Sequence, residues 1–187
     1  MRVRLSLGGF EVEKWVGHFQ EMIRGTIHSE NPMEHWEALD CRGKVILDLG
    51  CGFWTESERA NGNGTAKYFI TQDPIKYIGV DLNGQDIERL SKEFPQAIFI
   101  QKRIQSTMDI LGLLSEHKPT IVKCDIEGME DALFGLSTSE GILEIGIETH
   151  NGREKACMDW LNKVSLTPWK IDCASFCPEI SVIYGKC

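Results

Sequence analysis

The sequence has no apolar run long enough to cross a bilayer, no Cys-x-x-Cys pair, no low-complexity tract and no surplus of positive charge. The first absence excludes a membrane-spanning helix, which needs about 20 apolar residues in succession. The opening Met1-Arg2-Val3-Arg4 also lacks the apolar segment of a signal peptide. Lys and Arg number 20 against 28 Asp and Glu, a net charge of −8, which is the reverse of a nucleic-acid footprint. Lys102-Arg103 is the one local hint of a basic strip. Seven cysteines, an odd number, read as reduced thiols and predict a cytoplasmic protein. Cys173 and Cys177 flank a predicted turn and could pair or bind metal, but two further ligands are missing. What remains is ordinary globular composition, and 187 residues suit one α/β domain with its own core.

Within it, Lys44-Val-Ile-Leu-Asp-Leu-Gly-Cys-Gly52 carries the most information. Val45, Ile46, Leu47 and Leu49 form the near-continuous apolar run of a parallel strand covered on both faces. Gly50 and Gly52 permit a tight turn and a close backbone approach to a ligand. A second strand, Tyr77-Ile-Gly-Val-Asp81, ends in an acid placed to take both hydroxyls of a ribose. Together these residues predict an adenosine-containing cofactor.

Strand and helix patterns then alternate. Residues 2–12 read as a strand or hairpin, 11–24 as an amphipathic helix with Trp15 inward, and Pro32 opens a short helix through Leu39. Asn83 is placed to cap a helix over 83–94, with Asp86 three residues later. Strand Ala97–Gln101, a helix near 107–116, strand Thr120–Asp125, a helix through Met129 and Leu136, strand Ile142–Glu148 and a helix around Trp160 follow. The two last strands, Trp169–Ala174 and Ile180–Tyr184, are too close in sequence for a parallel crossover and must pair antiparallel. The predicted fold is α/β: a Rossmann-like three-layer α/β/α sandwich whose seven-stranded, mostly parallel sheet ends in an antiparallel C-terminal hairpin.

Asp48-Leu-Gly-Cys-Gly52 resembles motif I of class I S-adenosylmethionine-dependent methyltransferases. Val122-Lys-Cys-Asp-Ile-Glu-Gly-Met-Glu130 is similar to the Lys-x-Asp-x-Glu-Gly-x-Glu signature of the FkbM-like family. The resemblance implies S-adenosyl-L-methionine as cofactor and transfer of its methyl group to a hydroxyl of a sugar or other small molecule. It covers roughly residues 44–150 by motif, making 41–187 the cofactor-binding core and 1–40 an accessory segment. Class I enzymes often draw acceptor specificity from such segments, so the helix bearing His18, Glu21 and Arg24 is a candidate lid; a packing helix is the simpler reading. No Asn-Pro-Pro-aromatic motif follows the fourth strand, which with the acidic charge counts against nucleic acid as acceptor.

The cofactor loop departs from the pattern. Asp81 lies 33 residues after Asp48, where the usual interval is about twenty. Either Phe53–Gly62 is an insertion, with Gly64 resuming the glycine turn and Trp54 covering the cofactor, or Thr55–Ala60 is a short helix and Asn61–Gly64 a mere turn. The cofactor-binding candidates are Asp48, Gly50, Cys51, Gly52, Trp54, Gly64, Asp81, Leu82, Gln105 and Asp125.

Ligands of open α/β sheets sit beyond the carboxyl ends of the strands, which nominates Asp125, Glu127, Glu130, Glu148 and His150 for the chemistry. Histidine needs the least tuning to accept a hydroxyl proton, so His150 is the preferred base, with Asp125 orienting the acceptor or the cofactor's amine. The crowding of carboxylates also permits a divalent cation, although none is favoured and no ligand set is assigned. Simpler roles compete. Glu127 and Glu130 fit the first turn of a helix, where acids are favoured, and Glu148 fits a pair with Lys123.

Overall fold

The alternating pattern forms, in a computed structural model, one seven-stranded sheet with helices on both faces. The structure describes residues 36–53, 56–62, 64–139, 141–150, 152–173 and 180–187. The predicted elements over 2–12 and 11–24, the opening of the helix at Pro32, Trp54, and the turn around Pro178 with Cys177 lie outside them. In chain order the elements are β1 (Val45–Leu49), α1 (Glu56–Asn61), α2 (Thr65–Ile70), β2 (Lys76–Asp81), α3 (Gly84–Glu93), β3 (Ile98–Gln101) and α4 (Thr107–His117). Then come β4 (Ile121–Cys124), α5 (Asp131–Phe134), β5 (Glu144–Thr149), α6 (Glu154–Lys163), β6 (Thr167–Cys173) and β7 (Ser181–Lys186).

The strand order is β3-β2-β1-β4-β5-β7-β6. β1 to β5 run parallel; β7 pairs antiparallel with both β5 and β6, as the short tail requires. The order reverses between β1 and β4, and such a switch point opens a crevice at the carboxyl ends. Among the described residues no helix is long and apolar enough to cross a membrane.

Side chains alternate across the strands, and two cores result. On one face Leu47, Leu49, Val122, Cys124, Ile145 and Ile147 pack under α4, α5 and α6. On the other, Ile46, Tyr77 and Ile121 pack with Phe69 of α2, Leu90 of α3 and the Trp36–Leu39 turn. Asn83 caps α3 as expected, its side chain accepting from Gln85 N and Asp86 N. Asp86 does not complete a capping box; it is buried and accepts from Arg59 Nε at 2.8 Å and from Phe53 N at 3.4 Å.

Candidate active site at the carboxyl ends of the parallel strands

The glycine turn takes its shape from two close approaches. Gly50 has φ +80°, and a Cβ there would stand 1.7 Å from the Asp125 carbonyl oxygen. A Cβ on Gly52 would stand 2.7 Å from Asp81 Oδ2. The backbone contact admits only glycine at Gly50, and at Gly52 any side chain would displace the Asp81 carboxylate. The turn is tied to β2 by Gly50 N and Cys51 N, which donate to Val80 O at 2.8 and 3.2 Å. Asp81 accepts from Gly52 N at 2.9 Å and from Asn83 N at 2.7 Å, one bond to each oxygen. Leu82 beside it is 65% exposed, whereas the Cys51 side chain is wholly buried and turns into the core. Burial holds the Cys51 thiol well above its ordinary range, so only the backbone of Cys51 remains for a ligand. Gln105 lies beyond β3, where its backbone N donates to Asp109 Oδ2 at 3.1 Å.

The short helix expected over Thr55–Ala60 is present, at Glu56–Asn61. This helix, α1, forms the excursion, and Gly64 precedes α2 as its N-cap, where a Cβ would lie 3.5 Å from Gly52 O and 3.0 Å from the Phe53 ring. The chain therefore leaves the glycine turn, makes one helical excursion and returns beside it.

Below the turn lies a buried charge network. Asp48 is wholly buried and does not itself reach the surface. Its Oδ2 accepts from Tyr77 OH at 2.6 Å and Thr65 Oγ1 at 3.0 Å, and its Oδ1 is 3.1 Å from Lys123 Nζ. Lys123, also wholly buried, donates to Gly50 O at 2.6 Å and lies 3.4 Å from Asp125 Oδ2. Trp36 closes the network, its ring centroid 5.1 Å from Lys123 Nζ. Burial opposes the ammonium charge, but Asp48 and Asp125 outweigh it and hold Lys123 above its usual range. The expected Lys123–Glu148 pair is replaced by Lys123–Asp48 because Asp48 and Lys123 are register partners on adjacent strands. Lysine in the middle of Ile121-Val-Lys-Cys124 was the available signal, since a lysine buried in a strand needs an acid partner. Thr65 and Tyr77 gave none.

Beyond β4 and β5 the five acid–base candidates meet. Glu127 and Gly128, at φ +47° and +83°, form the corner of a turn closed by Met129 N donating to Ile126 O at 3.2 Å. The turn delays the helix, so Glu127 and Glu130 do not lie in its first turn; α5 begins at Asp131 and Glu130 precedes it. Glu130 is wholly buried, accepts from Gly128 N at 3.1 Å and lies 2.5 Å from His150 Nδ1. His150 Nε2 is 3.2 Å from Glu148 Oε1 and 3.6 Å from Glu127 Oε2. Glu148 and His150 share a face of the β5 segment, while Thr149 between them is buried and donates to Ser181 O at 3.0 Å.

This crowding moves the protons. The Glu130 and Glu148 carboxylates push His150 up to about 10 against the opposing effect of burial. Burial favours the neutral form of Glu130, but its bond to His150 prevails and lowers it. Asp125 is pushed up to about 7, chiefly by burial, with Lys123 opposing and Glu148 adding to the rise. The carboxylates around it thus favour the charged form of His150, where the sequence reading wanted a base tuned toward neutrality.

No family model matches the chain, and no curated protein matches it. Solved structures do. An S-adenosylmethionine-dependent methyltransferase of Mesorhizobium loti aligns with TM-score 0.57 and 10% identity over 85% of this chain and 98% of its own. The 1,6-didemethyltoxoflavin-N1-methyltransferase of Burkholderia thailandensis, solved with its substrate and S-adenosylhomocysteine, aligns at 0.52 and 12% over 98% and 93%. An rRNA methylase of Streptococcus thermophilus aligns at 0.51 and 14% over 86% and 97%. The chain thus shares the Rossmann-like fold of these methyltransferases, a seven-stranded sheet ending in an antiparallel hairpin.

Proposed function

We propose that the chain is an S-adenosylmethionine-dependent methyltransferase of the FkbM-like kind, acting on a hydroxyl of a small molecule or sugar. One observation carries this reading: the glycine turn and the carboxylate cluster meet at a single point, where Gly50 packs against the backbone of Asp125. This contact supports a single ligand spanning a nucleoside cradle and a set of acid–base groups. The residues fit that cofactor. Each oxygen of Asp81 accepts one backbone N–H and keeps a lone pair for a ribose hydroxyl. Leu82, exposed next to it, offers an apolar surface to a base.

S-adenosylmethionine supplies a methyl group on a sulfonium; as the new C–O bond forms the C–S bond breaks and its electron pair stays on sulfur. The chain's part is to align the acceptor oxygen and remove its proton. Asp125, the carboxylate beside the turn, is placed to take that proton. His150, held through Nδ1 by Glu130, helps to orient the acceptor beside Asp125. This exchanges the roles that the sequence suggested for the two residues. Glu148 and Glu127 flank Nε2. The net charge of −8 supports a small acceptor in preference to nucleic acid.

The test supplies methyl-labelled S-adenosylmethionine with three groups of acceptors: sugars and other hydroxyl compounds, their amine analogues, and RNA. A base-stable ether product on a hydroxyl acceptor is expected. Label found only in amines or RNA would overturn O-methylation, and cofactor binding without transfer to any acceptor would indicate a non-catalytic binding protein.

A further inference from the structure

We propose that Asp125, Glu148 and His150 form a binding site for a divalent first-row transition ion beside the glycine turn. Each residue offers one ligand atom, and the three atoms lie within 4.8 Å of one another. Ligand bonds of about 2.1 Å put opposite ligand atoms roughly 4.2 Å apart, so the set closes on an ion with small side-chain rotations.

Two features separate this cluster from an ordinary acidic patch. The first is the imidazole itself. His150 Nε2 is buried and makes no hydrogen bond among the described residues, although Glu148 Oε1 is 3.2 Å away, off the line of one. A buried nitrogen facing two carboxylates without a hydrogen bond is placed as a ligand is placed. The second is what holds the ring from behind. Glu130, wholly buried, contacts Nδ1 at 2.5 Å. A carboxylate on the far nitrogen fixes the tautomer and leaves the near nitrogen to the metal, the usual support of a metal-bound histidine. Glu130 is itself pinned by Gly128 N at 3.1 Å in the Glu127–Gly128 corner, so the left-handed backbone there serves the second layer of the site.

The backbone beneath is equally fixed. Asp125 N donates to Leu49 O at 2.9 Å, and Glu148 lies inside β5. Lys123 approaches one oxygen of Asp125 at 3.4 Å, which leaves the other for an ion. Arg153 is drawn to Glu130 Oε2 and Asp131 Oδ2, at 3.8 and 3.4 Å, behind the ring. One imidazole with two carboxylates selects Mn²⁺, Fe²⁺, Co²⁺ or Zn²⁺ over Mg²⁺ and Ca²⁺, which favour all-oxygen sets. Three protein ligands leave open positions, where an acceptor oxygen would bind and its hydroxyl become more acidic. That role rests on the methyltransferase reading; the site itself does not.

The test is Mn²⁺ binding to the full chain, followed by the loss of the free ion's electron paramagnetic resonance signal. Mn²⁺ is the probe because Cys187 is exposed and would attract Zn²⁺. One ion per chain is expected. Glu148→Gln should weaken binding at least ~10-fold, and Glu130→Gln, which touches no ion, by roughly 10- to 100-fold. Glu88→Gln, an exposed acid on α3, should change nothing. Failure of the wild-type chain to bind Mn²⁺ at millimolar concentration overturns the proposal, whatever the variants do. So does wild-type affinity in both Glu148→Gln and Glu130→Gln. S-adenosylhomocysteine titrated in parallel separates the two claims: its binding without Mn²⁺ binding overturns only the ion site, and the converse supports the ion site while overturning the methyltransferase reading.

Discussion

Along β1, β4 and β5 alternate residues look in opposite directions, and the two faces carry different chemistry. One presents Leu47 and Leu49, Val122 and Cys124, Ile145 and Ile147, all buried under three helices. The other begins with Ile46 and Ile121, then turns polar toward the strand ends through Asp48, Lys123 and Glu148 to Asp125 and His150. The first face holds the fold by burial alone. The second gives up apolar contact for charges that need partners, and those partners shape the glycine turn. Lys123 is the link, since it pairs with Asp48 inside the sheet and donates to Gly50 O at its edge.

Lys123→Ala should break this difference most sharply. It leaves Asp48 buried without its cation, at a cost of about 3–5 kcal/mol, read from urea unfolding. Joint replacement, Asp48→Leu with Lys123→Met, should recover much of that stability, while both variants should bind S-adenosylhomocysteine more weakly because Gly50 O has lost its clamp. On the opposite face Leu47→Ala should cost about 3 kcal/mol by leaving a cavity, yet the folded fraction should bind the ligand as before.

The polar face should also respond to pH where the apolar face does not. His150 is raised in the folded chain from 6.5 to about 10. Its contribution is fully present below pH 6.5 and is lost as pH rises through about 10. Unfolding measured in EDTA should therefore show stability falling across that window by an amount on the order of a few kcal/mol. His150→Asn should flatten this part of the profile, and Glu130→Gln should move the imidazole titration, followed by NMR, back toward its ordinary value. The smallest effect is expected at the excursion. Arg59→Ala strips Asp86 of a partner and should cost about 1–2 kcal/mol in urea unfolding.

The apolar face was legible in the sequence, because a run such as Val45–Leu49 or Ile142–Ile147 means the same wherever its neighbours lie. The glycine turn was legible too, since Gly50 and Gly52 answer to local backbone demands. The polar face was legible only as a set of candidates. The acid–base candidates beyond β4 and β5 lie near one another, but their roles depend on register: Asp48 faces Lys123 because β1 lies beside β4, a pairing 75 residues apart. His150 was recognised by its place after β5, whereas the contact that raises its pKa most comes from Glu130, which a turn at Glu127–Gly128 carries under the ring. Sequence spacing read that acid as part of a helix.

The cradle formed by the Gly50–Gly52 turn and Asp81 carries the proposed cofactor site. Titration calorimetry of the chain with S-adenosylhomocysteine tests it directly, with Asp81→Ala as the comparison. Binding at one site per chain is predicted, weakened at least ~10-fold in the variant by loss of the ribose contacts. No heat with either S-adenosylhomocysteine or S-adenosylmethionine, or equal affinity in Asp81→Ala, would contradict it.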